Sequence, residues 1–135
     1  MSVRLSKLIA YLIVINGVYD VTCAVALMLC SGELCDARMV PQAWPLRKNV
    51  AATPSLAIIW SGYVGIYGLI RCACIPPIHP TTKFLVVSSY ANEACVYTAL
   101  RLQDQATHGA ETTTILSLLT GGLAYVISTI CLKYG

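Results

Sequence analysis

Four apolar stretches, each close to the roughly 20 residues that cross a hydrocarbon core about 30 Å thick, dominate this chain of 135 residues. They run from Leu8 to Leu29, from Ser55 to Ile75, from Lys83 to Leu102 and from Thr112 to Leu132. Inside a bilayer no water is at hand to bond a backbone N–H or C=O, so a spanning segment closes its hydrogen bonds within itself, as helix. The expectation is an all-α, polytopic integral membrane protein, a single domain over residues 1–135 built as a four-transmembrane-helix bundle. Composition points the same way: 57% of the residues are hydrophobic and 11% charged, where a soluble domain carries about 25% charge. A formal charge of +3, with no block of like charges, gives nothing that could track a phosphate backbone, so nucleic acid is excluded as a partner.

The breaks between the stretches are chemically plain. Ser31, Gly32, Glu33 and Asp36, with Pro41, Pro45 and Pro54, make the first connection. Pro76, Pro77 and Pro80 close the second stretch, and Gln103 to Glu111 make the third connection. Arg4 and Lys7 precede the first apolar run as they would in a signal peptide, but the run is longer than the apolar region of one, so a retained span is expected. Four spans put both termini on one side. That side holds Arg4, Lys7, Arg71, Lys83 and Lys133, against Arg38, Arg47, Lys48 and Arg101 opposite, a slight bias toward termini inside.

An ionisable group at mid-depth costs at least about 2.5 to 3.5 kcal/mol, so any that persists is a candidate for function. Two acids fall within spans, Asp20 and Glu93. Asn16 lies one turn before Asp20 on the same face. The second span repeats Trp60, Tyr63, Tyr67 and Arg71 along one stripe, and the third repeats the spacing with Tyr90, Glu93, Tyr97 and Arg101. Turned inward, these stripes would bring Arg71 within reach of Glu93 or Asp20. Three roles compete for them: a buried network that fixes helix register, an interface with another membrane protein, or a proton or ion path through Asp20 and Glu93. Gly62, Gly65 and Gly68 recur on the side of the second span away from Arg71, and Gly121 with Gly122 interrupts the fourth. None forms a strict GxxxG motif, so each is a weak packing signal, and Gly17 alone says still less.

Seven cysteines give no ligand set: Cys72 and Cys74 lack zinc-finger spacing and a second pair, and His79 and His108 fall on opposite sides of the membrane. No metal and no cofactor are expected. Cys30 and Cys35, at the start of the first connection, form a candidate disulfide if that side is oxidising. The chain has no GxSxG, HExxH or phosphate-binding loop, so no catalytic residue is assigned and no enzymatic activity is expected.

Ile70, Arg71, Cys72 and Cys74, followed by Ile78 and His79, close the second span; the third contains Glu93, Val96, Tyr97, Arg101 and Leu102. With Asn16 in the first span, this pattern resembles the ergosterol-biosynthesis scaffold family, small four-span proteins of the endoplasmic reticulum without catalytic activity. The resemblance implies a scaffold in that membrane tethering enzymes into one assembly, with Asn16, Arg71, Glu93 and Arg101 structural or facing partners. The expected partners are other integral membrane proteins and lipids, with a second copy of the chain kept open. A supernumerary subunit of an energy-transducing complex in an organellar inner membrane fits the same residues, as does an oligomeric conductor.

Overall fold

The computed structural model describes residues 3–30, 54–104, 115 and 118–127. Among them every regular element is helical: α1 (Val3–Cys30), α2 (Pro54–Cys72), α3 (Pro80–Asp104) and α4 (Leu118–Ile127). No strand forms among the described residues. Two helices, α1 over Lys7–Leu29 and α2 over Ser55–Cys72, are long and apolar enough to cross a membrane. At about 1.5 Å per residue, the 23 residues of the first reach about 34 Å. The third stretch is helical as expected but falls short in apolarity, because Ser88, Ser89, Asn92, Glu93 and Thr98 occupy its middle. Of the fourth, Leu118–Ile127 is apolar helix, and its expected ends lie outside the described residues.

Prolines set two boundaries differently from the sequence reading. The second helix ends at Cys72 instead of Ile75. Pro76 has no N–H to give the ladder and disfavours helical geometry at Ile75, so Ala73 N–H, bonded to Leu69 O at 3.2 Å, is among its last donors. Pro80, counted as a breaker, is instead the first residue of α3, a position where a missing N–H costs nothing. His79 caps that helix: its Nδ1 accepts from Thr81 N–H at 3.3 Å, and its carbonyl accepts from Lys83 N–H at 3.1 Å. The helix therefore starts three residues before Lys83.

The chain divides into two compact units, Leu12–Ala73 and Met1–Tyr11 with Cys74–Gly135. The first pairs most of α1 with α2. A methyl built on Gly65 would meet Ala24 Cβ at 3.3 Å, and one on Gly68 would lie 2.8 Å from Val21 N. Gly17 faces Cys72. Position 17 thus sits by 72, 21 by 68 and 24 by 65, so the two helices run antiparallel with steps of four and three residues. That spacing keeps one stripe of each helix against the other. In the second unit α4 lies on α3, a methyl built on Gly121 standing 3.7 Å from Ala94 Cβ. Val86, Ser89, Tyr90, Glu93 and Tyr97 are buried on α3, and Thr120, Ala124 and Ile127 on α4.

Polarity is inverted relative to a soluble protein. The largest fully buried side chains include Arg71, Asp20, Ser61 and Ser89, while Leu12, Ile15, Ile59, Ile66, Leu69 and Leu118 are more than half exposed. Hydroxyls in the helices turn back onto their own carbonyls: Thr22 Oγ1 donates to Val18 O at 2.8 Å, Ser89 Oγ to Val86 O at 2.8 Å and Thr98 Oγ1 to Ala94 O at 2.7 Å. Such back-bonding satisfies the hydroxyl without water.

Candidate functional site

The most polar feature of the α1–α2 unit is an ion pair. Arg71 Nη1 donates to Asp20 Oδ2 at 2.5 Å, with both residues 1% exposed. Two glycines make this contact reachable. A methyl on Gly17 would stand 2.7 Å from both Cys72 N and Gly68 O, and one on Gly68 would stand 2.9 Å from Gly17 O. The backbones touch there, and Asp20 and Arg71 each lie one turn further along their helices. An aspartate has only one methylene to extend its carboxylate, so close approach of the backbones is what lets it meet a guanidinium. Arg71 also belongs to the last turn of α2, where its charge is favoured by the negative end of the helix dipole.

An aromatic ladder continues from the ion pair along α2. The Arg71 guanidinium carbon is 5.9 Å from the Tyr67 ring centroid, within cation–π range. Tyr67 meets Tyr63 edge to face at 4.6 Å, and Tyr63 stacks on Trp60 at 4.9 Å. Both geometries are the ones the ring quadrupole favours. The expected stripe on α2 is therefore one connected column, with Trp60 and Arg71 buried and the two tyrosines half-buried.

Arg71 meets Asp20, one of the two acids foreseen for it. Asn16 is half-buried on α1, and Tyr90, Glu93 and Tyr97 are buried on α3, so that stripe also faces inward. The side chain of Arg101 lies outside the described ones, as do Cys35 and the side chain of Cys30. Cys23, Cys72, Cys74 and Cys95 are not in disulfides. Among the described residues no three of His, Cys, Asp and Glu group closely enough to hold a metal ion.

Sequence reasoning discounted Gly17, whose neighbour across the helix pair is backbone, and it gave Gly65 and Gly68 too little weight. The available signal was joint: Gly17, Val21 and Ala24 step by four and three, as do Gly65, Gly68 and Cys72. It also missed Ser61, fully buried on the same side of α2 with no hydrogen-bond partner for its hydroxyl. In this arrangement the acid meets a guanidinium and both are shut away from solvent. No family model, curated protein or solved structure matches the chain.

Proposed function

We propose that the chain is a four-helix membrane bundle that works without catalysis, as a scaffold or accessory subunit holding other membrane proteins in a complex. The observation that carries this reading is the inverted polarity: an ion pair fills the interior while leucine, isoleucine and valine cover the outside. Such a surface is stable only against lipid or the apolar faces of other proteins. On this reading α3 and the stretch around α4 cross the membrane with α1 and α2, and α3 tolerates its polar residues because Glu93, Ser89 and the two tyrosines are buried. Sterol-synthesising enzymes of the endoplasmic reticulum are the first partners to seek, on the pattern of Asn16, Arg71, Glu93 and Arg101; subunits of an organellar energy-transducing complex are the alternative.

The pairing of Asp20 with Arg71 supports a structural role for that acid over proton carriage, since a carrier must exchange its proton with water while this carboxylate is buried against a guanidinium. Extraction of the tagged chain in mild detergent, followed by identification of co-purifying proteins, tests the reading. A stoichiometric set of integral membrane proteins is the expected result. A chain that purifies without other proteins and passes protons in liposomes would replace the scaffold with the conductor.

A further inference from the structure

A helix leaves its first N–H groups without partners, and the residue before it usually supplies an oxygen acceptor from Asn, Asp, Ser or Thr. In α3 that position is a histidine. His79 precedes Pro80, the first helical residue, and its Nδ1 accepts from Thr81 N–H at 3.3 Å. Thr81 Oγ1 lies 3.1 Å from the same nitrogen. Proline has no N–H, so Thr81 offers the first backbone donor of the helix. Lys83 N–H goes to the His79 carbonyl at 3.1 Å. The ring and the carbonyl of one residue thus hold the first turn together.

The choice of a ring over an oxygen has a consequence. An imidazole nitrogen accepts only through its lone pair, so the bond from Thr81 N–H requires a neutral ring with its proton on Nε2. Histidine is the side chain whose charge changes between about pH 5 and pH 8, and both His79 and Thr81 are exposed. Protonation places an N–H on Nδ1, where it confronts Thr81 N–H as donor against donor. The charged ring still donates to Thr81 Oγ1, so the hydroxyl bond reverses direction while the backbone bond is lost. The added charge also stands at the positive end of the helix dipole, and Lys83 repeats it one turn on, a like pair that destabilises a helix.

Nothing described around the ring offsets that charge. In the same unit α1 brings Lys7 and Tyr11, α4 brings Tyr125, and Cys74 lies in the connection. On α3 itself Tyr90, Glu93, Cys95 and Tyr97 begin roughly 16 Å beyond His79 at about 1.5 Å per residue. Glu93 is the carboxylate among the unit's described side chains, and the ring's bonds among the described residues are those to Thr81.

We propose that His79 is an acid-released clasp on the start of α3. Neutral, it holds the first turn closed; protonated, it lets that turn open and lengthens the connection from α2 by the residues it frees. The switch is a property of the cap and does not depend on which proteins the bundle holds.

Amide hydrogen exchange of the full chain in detergent micelles, followed by NMR at about pH 8 and about pH 5 and expressed relative to the intrinsic rate at each pH, reads the clasp directly. Protection of Thr81 N–H should fall roughly two- to thirtyfold on acidification, the equivalent of one lost N-cap, while amides in the middle of α3 keep theirs. His79→Asn supplies an oxygen that accepts at both pH values and should hold the protection throughout. His79→Ala should show the low, acid level at both. Three results would each overturn the clasp: equal protection of Thr81 at the two pH values, protection at about pH 8 no greater than in His79→Ala, or an acid response in His79→Asn as large as in the parent chain.

Discussion

At the scale of single residues, the Asp20–Arg71 pair decides how the α1–α2 unit responds to substitution. Two charges withdrawn from water lose several kcal/mol each, and their attraction recovers that only while both are present. Asp20→Asn or Arg71→Met alone leaves one charge buried and unmatched, and should cost about 3–5 kcal/mol. Asp20→Leu combined with Arg71→Met leaves neither charge, and should be less damaging than either single change. Reversible unfolding in mixed micelles measures all three variants; a double variant as unstable as the sum of the singles would show that the pair does not act as a unit. The acid and the arginine were both readable in the sequence, because a charge in a span demands a partner. That Arg71 would meet Asp20 was not readable, since Asp20 and Glu93 were both candidates in kind and it is the approach of α1 to α2 that brings Asp20 to the guanidinium.

The approach of the helices belongs to the scale of elements, and there glycine spacing governs. At Gly17 and Gly68 a methyl would press on backbone atoms of the opposite helix at 2.7–2.9 Å, and backbone cannot swing aside as a side chain can. Gly62, on the same helix as Gly68, has nothing within 4 Å of such a methyl. Gly17→Ala and Gly68→Ala should therefore push the helices apart and lower stability by about 1–3 kcal/mol, the range for overpacking. Gly62→Ala should be neutral or stabilise by up to about 1 kcal/mol through helix propensity. The register itself can be trapped, because the 3.3 Å between Ala24 Cβ and a methyl on Gly65 lies near the Cβ separation of a disulfide. Oxidation of the Ala24→Cys, Gly65→Cys double variant should link α1 to α2, and failure to link would mean the helices pair in another register. Helix existence was legible from apolar length, yet two ends were not, because a proline that stops one helix and a proline that starts the next look alike in sequence. Pro76 and Pro80 differ only in what precedes them, and His79 supplies the cap that makes the second a beginning.

For the whole molecule the question is which solvent surrounds it, and a single exposed position can answer. Ile59 is 69% exposed on α2, on a helix long and apolar enough to cross a membrane. In water, a charged residue at such a site would improve solubility and disturb little, since surface substitutions usually fall within about 0.5 kcal/mol. In a bilayer the same charge, about one turn inside the Ser55–Cys72 span, meets hydrocarbon, at a cost that rises toward about 2.5–3.5 kcal/mol at mid-span. Ile59→Lys should accordingly reduce membrane insertion of α2, measured as the fraction of chain that reaches the bilayer in a translation and insertion assay. Tyr97→Phe, at an interior position on α3, should leave that fraction unchanged. The contrast follows from inverted polarity alone, so it does not depend on the proposed partners; an Ile59→Lys chain inserting as well as its parent would mean that this face meets water, and the proposed membrane-embedded scaffold would have to be abandoned.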